Sequence, residues 1–169
     1  MGEDSFREFV VGRGPELTRF ATLLCRDRHE AEDLLQDTLA SAYASWRRIE
    51  RVDSPEAYVR RMLVNRHVSR WRRHRGRTEP RAAVPDTTTP DHAEANATAD
   101  AVRRMLRDLP PRQRAAVVLR YYADYTDAQI AETLGCSEPT VRSQISRALT
   151  HLRAPAEAAT LGATDWTHS

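Results

Sequence analysis

The sequence predicts an all-α protein made of two small helical domains joined by a flexible linker. Apolar residues recur at three- and four-residue spacing along most of the chain, and no alternating segment is long enough to indicate a β-strand. Ala, Leu, Arg and Glu dominate these periodic segments and favour helices, whereas only 6 of the 169 residues are glycine. A chain of this length can bury the cores of two small domains.

The N-terminal part of the chain predicts three successive helices. The first is expected to stop at the glycines of residues 12–14, and Pro15 is expected to open a second helix that runs to about Arg26, since proline is favoured in a first helical turn. Asp27 and Glu30 have the spacing of a capping box. They therefore predict a third helix with an acidic start.

A fourth helix is predicted to begin at Ser54 and Pro55 and to continue to about Arg75, because a Ser cap followed by Pro leaves few backbone donors unsatisfied. Residues 57–78 contain eight arginines and no carboxylate. At 100° per residue, the apolar side of this helix comprises Ala57, Val64, Val68 and Trp71. The opposite side, which we expect to contact nucleic acid unless it is merely a solvated charged face, comprises Arg66, Arg70, Arg73 and Arg77.

The composition indicates a domain boundary after the fourth helix. Pro, Thr, Asp and Ala without helical periodicity are typical of a linker that cannot bury enough surface to order itself. Beyond it, one helix is expected to end at the Pro-Pro pair of residues 110–111 and another to follow directly. The predicted organisation is a first domain over residues 1–75, a flexible linker over 76–100, a second domain over 101–153 and a disordered tail over 154–169.

The second domain carries the pattern of a helix-turn-helix. Thr126 and Gln129 form a capping box, and Gly135 supplies the left-handed residue that a sharp turn between helices needs. Ser137 can cap the next helix, whose inward side comprises Val141, Ile145, Ala148, Leu149 and Leu152. Its outer side is polar and basic and suits a major groove, with a solvated helical hairpin as the alternative. The candidate DNA-binding residues here are Ser137, Glu138, Pro139, Thr140, Arg142, Ser143, Ser146 and Arg147.

Other classes of function find little support in the sequence. Cys25 and Cys136 are the only cysteines, so a disulfide framework is not expected and a reducing cytosol is the simpler location. The cysteines and histidines lack paired metal-ligand spacing, and no glycine-rich phosphate loop occurs. We therefore expect no enzyme activity, no metal and no cofactor. The sequence also predicts neither export nor insertion into a membrane.

These motifs, in this order, resemble a small bacterial sigma factor of the extracytoplasmic-function group, over roughly residues 5–153. "EAEDLLQDTLASAY" is similar to the family's Asp-Leu-x-Gln-Glu segment. That resemblance implies docking on the clamp helices of the largest subunit of RNA polymerase. The matching positions are Asp33, Leu34, Gln36 and Asp37.

Two further segments extend the resemblance. "SPEAYVRRMLVNRHVSRWRRHR" resembles the helix and adjoining loop that melt and read the minus-ten promoter element. "LPPRQRAAVVLRYYADYTDAQIAETLGCSEPTVRSQISRALTHLR" is similar to the domain that reads the minus-thirty-five element and touches the polymerase flap. The residues thereby implied in minus-ten recognition are Tyr58, Arg61, Asn65, Arg66, Arg70 and Arg73.

The resemblance implies a cytoplasmic promoter-specificity subunit that has core RNA polymerase and promoter DNA as partners, and an anti-sigma factor as a candidate further partner. The chain departs from the family at Tyr58, where a Trp is frequent, at Ser69, where an acidic residue is usual, and at Asp37, where the docking residue is Glu. These departures put the minus-ten sequence in question more than the class. The competing hypothesis is a stand-alone helix-turn-helix regulator, which would bind promoters without polymerase.

Overall fold

The structure is a computed structural model that describes residues 2–74 and 95–162, with side chains up to residue 74 and from 97 to 154. In these ranges the chain is helical, contains no strand and forms two compact units, Met1–Ala97 and Thr98–Ser169. The predicted all-α class is confirmed. The first unit contains α1 (Gly2–Leu24), α2 (Arg28–Ala44), α3 (Trp46–Ile49) and α4 (Pro55–His74). The described residues from 95 to 162 contain α5 (Ala95–Arg107), α6 (Pro111–Val117), a π-helical turn (Val118–Tyr122), α7 (Asp127–Leu134) and α8 (Glu138–Gly162).

The first helix is continuous, and the predicted break at residues 12–14 is wrong. Pro15 lies inside α1, where its ring removes the hydrogen bond to the carbonyl of Val11 and costs about 3 kcal/mol. Val11 is 74% exposed, so water can reach this position. The helix is held on both sides of the proline, because Phe9 packs against Trp46 and Phe20 is fully buried.

The starts of α2 and α4 follow the predicted capping. Asp27 accepts the backbone N–H of Glu30 at 2.8 Å, and the Glu30 carboxylate reaches back to the N–H of Arg26 at 3.0 Å. The reciprocal bond therefore goes one residue further back than in a standard capping box. Ser54 accepts the N–H of Ala57 at 3.2 Å, and Pro55 occupies the first turn of α4.

The core of the first unit lies where α1, α2 and α4 meet. It is formed by fully buried residues of all three helices, including Leu17, Leu24, Leu34, Val59 and Leu63. At one edge, the Trp46 indole N–H donates to the Ser5 hydroxyl at 2.7 Å, and that hydroxyl donates to Glu50. Trp46 is thus a core residue.

The side of α4 that faces the core differs from the prediction. Val59, Leu63, Val64, His67 and Val68 are buried, whereas Ala57 and Trp71 are only half-buried. The predicted core side of α4 included only apolar residues. It therefore omitted His67, although an imidazole can be buried when its neighbours are compatible. The helix is therefore rotated relative to the predicted orientation, which changes where its arginines point.

The second unit begins before the predicted boundary. Helix α5 starts at Ala95, so the last residues of the predicted linker are helical; alanine-rich sequence favours this, and Arg103 pairs with Asp100 at 2.8 Å. The remainder of the predicted linker, residues 76–94, lies outside the described residues. Arg114 of α6 is 1% exposed and donates to the carbonyls of Leu106, Arg107 and Leu109. Its guanidinium thereby supplies hydrogen-bond donors to the carbonyl groups at the end of α5, a contact that the sequence did not indicate.

The helix-turn-helix forms as predicted. Thr126 and Gln129 make both bonds of the capping box, Gly135 has φ 64° and ψ 45°, and Ser137 accepts the N–H of Thr140. Val141, Ile145 and Ala148 are buried, while Leu149 and Leu152 are half-buried. Helix α8 continues to Gly162, so residues 154–162 of the predicted disordered tail are helical, in keeping with their alanine content. Trp166 and the final residues lie outside the described part of the chain.

Replacing Gly135 by Ala tests how much the turn depends on its left-handed backbone. A Cβ at Gly135 would meet no atom within 4 Å, so backbone strain alone should lower the free energy of unfolding by about 1–2 kcal/mol. Gly12→Ala is the matched control. Its Cβ also meets no atom, but Gly12 is helical, and alanine there should raise stability by up to about 1 kcal/mol. Urea unfolding followed by circular dichroism measures both, and equal effects would contradict the prediction.

Candidate polymerase and nucleic-acid interfaces

Helix α2 presents a polar surface to solvent, which we call the acidic face: Asp33, Gln36 and Asp37. These residues lie within about one quarter of a helical turn of one another and are exposed. Leu34, which was predicted to contact polymerase, is instead fully buried in the core. Its side chain cannot bind a partner without unfolding the helix from its neighbours, so we assign it to holding α2 in place.

The predicted minus-ten residues of α4 divide into two groups. Arg61, Asn65 and Arg73 are exposed. Arg66 and Arg70 are half-buried and turn towards α2, where Arg66 donates to the Ser41 hydroxyl at 2.6 Å. The charged side of the helix is therefore not one continuous surface, because the rotation of α4 brings part of it to the junction with α2.

The two predicted sites of the first unit meet in an ion pair. Arg70 of α4 contacts the carboxylate of Asp37 on the acidic face. The Asp37 side chain is 53% exposed and that of Arg70 is 27% exposed, so water screens the pair and its contribution to stability is about 1 kcal/mol or less. Such a pair is weak enough to be exchanged for other partners.

Tyr58 lies at the start of α4 and is also engaged within the unit. Its hydroxyl accepts a hydrogen bond from the guanidinium of Arg48 at 3.0 Å, and the residue is half-buried. Trp71 is half-buried too. Both rings keep part of their surface available, unlike Trp46.

The outer side of α8 is open to solvent. Ser137, Glu138, Pro139, Arg142, Ser143, Ser146 and Arg147 are exposed, and Thr140 is half-buried with its hydroxyl 2.8 Å from that of Ser137. A shallow groove along this side is lined by Arg120, Arg142, Ser146, Thr150 and Arg153. Three guanidinium groups beside hydroxyls favour an anionic ligand such as a phosphate backbone.

Asp127 organises that groove, and the sequence analysis missed it. Its carboxylate contacts Arg120 from the π-helical turn and lies 3.3 Å from the guanidinium of Arg142. Arg142 is also 3.8 Å from Glu138, one helical turn earlier. Asp127 is in the first turn of α7, where an acid is expected for capping alone, so only the fold reveals that it restrains an arginine of α8.

A second unpredicted cluster lies in the first unit. Cys25, Glu30 and His67 come from the end of α1, the start of α2 and the middle of α4, and one ligand atom from each lies within 4.8 Å of the other two. No short sequence spacing links them. The expectation of no metal-ligating set rested on spacing along the chain and could not detect this arrangement.

Comparison with known proteins agrees with this architecture. A family model described as Sigma-70 region 2 matches residues 10–77, and one described as Sigma-70, region 4 matches residues 99–152. The "RNA polymerase sigma-E factor" of Streptomyces coelicolor is 36% identical over 154 residues, which cover 90% of this chain and 87% of that protein. The "ECF RNA polymerase sigma factor SigM" of Mycobacterium tuberculosis is 35% identical over 138 residues, or 81% of this chain and 69% of that one.

A solved structure gives the same result. The sigma factor RpoE of Bartonella quintana, crystallised with the anti-sigma factor NepR, superposes with a TM-score of 0.65 at 26% identity, covering 90% of this chain and 97% of that one. The chain belongs to the sigma-70 family. Within it, the chain is an extracytoplasmic-function RNA polymerase sigma factor, a transcription initiation factor that acts with core RNA polymerase on promoter DNA. The hypothesis of a stand-alone regulator is therefore set aside.

Among the described helices, none combines the length and the apolar character that crossing a membrane requires.

Proposed function

We propose that this sigma factor divides its work among three helices: α2 binds core polymerase, α4 handles the melted minus-ten region, and α8 reads the minus-thirty-five region. The observation that carries the proposal is the placement of exposed polar residues. In each helix they lie on the side opposite the buried core residues, on rigid elements rather than loops. A surface fixed in this way loses little conformational entropy on binding.

The acidic face of α2 is the proposed contact with the clamp helices of the largest polymerase subunit. Asp33 and Asp37 supply the charge and Gln36 a neutral donor and acceptor. Exposed carboxylates of this kind steer association with a basic partner and fix its register. Asp37 pairs with Arg70 before binding. When the protein docks on polymerase, the Asp37 carboxylate would leave Arg70 and contact the polymerase instead.

The surface of α4 is the proposed minus-ten site. Arg61, Asn65 and Arg73 are exposed and able to contact phosphates or base edges, and Tyr58 offers a partly exposed ring for stacking. Arg66 and Arg70 join this surface only if they leave Ser41 and Asp37. Polymerase binding to Asp37 would therefore release Arg70 for DNA, which couples the two contacts.

The outer side of α8 is the proposed minus-thirty-five reader. A helix held by a tight turn presents its N-terminal residues to the major groove, and Arg142 lies about one turn into α8. Asp127 holds this guanidinium near the groove of arginines. Such restraint reduces the rotamer entropy that Arg142 would lose on binding a guanine edge.

Two weak contacts on one chain suffice for promoter recognition when polymerase binds both units. The segment between α4 and α5 is proposed to act as a tether, so that binding by one unit raises the effective concentration of the other. We further propose that the protein acts in the cytoplasm, where core polymerase is found, without catalytic residues of its own and without a cofactor. An anti-sigma factor remains a candidate partner, as for the related Bartonella protein.

Removing the two carboxylates of the acidic face should weaken polymerase binding. The double change Asp33→Ala and Asp37→Ala is expected to lower affinity for core RNA polymerase at least about tenfold, because it deletes complementary charge. Glu3→Ala with Asp4→Ala removes the same charge from exposed positions on α1 and serves as the control. Affinity is measured by fluorescence titration of labelled protein with core enzyme. Equal losses in both double variants would show that net charge, not this face, matters.

Removing arginines from α4 should impair melting while leaving assembly intact. Arg70→Ala with Arg73→Ala is expected to reduce promoter opening at least about tenfold at moderate salt, because two phosphate or base contacts are lost. Permanganate reactivity of unpaired thymines reports opening, and the titration above reports polymerase binding. Arg26→Ala with Arg28→Ala, exposed arginines outside α4, is the control. A parallel loss of polymerase binding would mean that α4 belongs to the polymerase interface.

Arg142→Ala distinguishes base recognition from phosphate contact. If Arg142 reads a guanine, the change should cost about 1–3 kcal/mol on the preferred promoter and relax preference at one base pair. Binding of the holoenzyme to a panel of single-base minus-thirty-five variants measures this pattern. Arg104→Ala, an exposed arginine on α5, should leave the pattern unchanged. A uniform loss over the panel would identify Arg142 as a phosphate contact.

A further inference from the structure

We propose that Cys25, Glu30 and His67 form a binding site for a divalent transition-metal ion, with Zn²⁺ as the best match. The Cys25 sulfur lies 3.9 Å from Nδ1 of His67, and the same nitrogen lies 3.9 Å from Oε1 of Glu30. All three ligand atoms are within 4.8 Å of one another. His67 Nδ1 is thus placed between a sulfur and a carboxylate oxygen.

These separations suit a single small ion. Zn²⁺ binds Cys sulfur at about 2.3 Å, His nitrogen at about 2.0–2.1 Å and carboxylate oxygen at about 2.0–2.2 Å. With tetrahedral angles, neighbouring ligand atoms then stand roughly 3.3–3.7 Å apart. The two distances to His67 Nδ1 exceed this by only a few tenths of an ångström, and the sulfur and the carboxylate oxygen lie within 4.8 Å of each other. Rotation of the partly exposed Glu30 side chain would therefore close the site on an ion. One thiolate, one imidazole and one carboxylate also favour Zn²⁺ over hard ions such as Mg²⁺.

The carboxylate is oriented before any ion binds. Oε2 of Glu30 accepts the backbone N–H of Arg26 at 3.0 Å, and the Glu30 backbone N–H is held by Asp27. The other carboxylate oxygen, Oε1, is the one directed at His67. A hydrogen bond that fixes a ligand's orientation is a common feature of metal sites, because it fixes ligand geometry.

Burial and access are both appropriate. Cys25 is 5% exposed and His67 is 4% exposed, so two ligands lie in the core. The Glu30 side chain is 37% exposed, which opens the cluster to solvent on one side and provides an entry path. The opposing interpretation is ordinary packing of a buried thiol against an imidazole. A weak ion pair between a protonated His67 and Glu30 would account for the carboxylate contact in that interpretation, and the titration below decides between the two.

Binding here would tie together α1, α2 and α4, the helices that form the core of the first unit. The ligands come from the end of α1, the first turn of α2 and the buried face of α4. An ion that binds the folded but not the unfolded chain stabilises the fold by linkage. The inference does not rest on the proposed polymerase or DNA contacts, since none of the three metal ligands belongs to the acidic face of α2 or to the proposed minus-ten surface of α4.

The test uses the full chain, freed of metal by a chelator and then titrated with Zn²⁺ in competition with a chromophoric indicator. We expect one tightly bound ion per chain and a rise in the thermal midpoint of several degrees. Co²⁺ bound at the same site should give a sulfur-to-cobalt charge-transfer band in the near ultraviolet, which reports the thiolate directly.

Matched variants locate the site. Glu30→Gln keeps an oxygen for the Arg26 N–H but removes the anionic ligand, so affinity for Zn²⁺ should fall at least about tenfold with the fold retained. Glu32→Gln, on the same helix and outside the cluster, should change nothing. Cys25→Ser should abolish the cobalt band, whereas Cys136→Ser, at the half-buried second cysteine, should preserve it.

Each contrary outcome overturns the proposal. Absence of stoichiometric binding at micromolar free Zn²⁺ would leave the cluster as core packing. Undiminished binding in both Cys25→Ser and Glu30→Gln would place the ion elsewhere, for example on exposed histidines such as His29. Far-ultraviolet circular dichroism of every variant establishes that it is folded, and the Glu30→Gln result decides the question if Cys25→Ser does not fold.

Discussion

The first unit depends on how α4 is rotated against α1 and α2. Burial of Val59, Leu63 and His67 fixes this rotation, because a helix presents its other faces at set angles once one face is buried. Arg66 and Arg70 are consequently carried to the edge of α2, while Arg61 and Arg73 remain in solvent. The same rotation brings His67 beside Cys25 and Glu30. The functional surfaces and the candidate metal site are therefore consequences of one packing arrangement.

Carboxylates pair with several of the arginines, which reduces repulsion between the guanidinium groups and leaves them able to bind other partners. Arg13 and Arg60 both contact Glu56, Arg70 contacts Asp37, and in the second unit Asp127 serves Arg120 and Arg142. The Arg13–Glu56, Arg70–Asp37 and Arg142–Asp127 pairs each have one side chain more than half exposed, so they are weak and exchangeable, whereas the Arg60–Glu56 pair is only 18% and 19% exposed. A chain with a net charge of only +2 can in this way keep its guanidinium groups ordered and still offer them to phosphates.

The second unit is stabilised both by interactions between residues close in the sequence and by contacts between helices. Its turn is encoded locally by the Thr126 and Gln129 capping box and by Gly135 in the left-handed conformation. Its stability also depends on Arg114, which is buried at 1% exposure and whose guanidinium donates to three backbone carbonyl groups, so that the burial of its charge is offset by hydrogen bonds. Arg112 adds a bond to the Leu134 carbonyl at the end of α7. Arginines in this protein thus act as internal helix caps as well as surface charges.

The sequence by itself determined the helical class, the caps at Asp27, Ser54 and Thr126, and the inward and outward sides of α8. These features depend on interactions within a few residues or on a single helical period, both of which can be counted along the chain. Only the tertiary structure decided the continuity of α1 through Pro15, the burial of Leu34 and the pairing of Asp37 with Arg70. It alone also assembled Cys25, Glu30 and His67. Such outcomes depend on which face of one helix packs on another, and residues far apart in sequence then share contacts that no local spacing specifies.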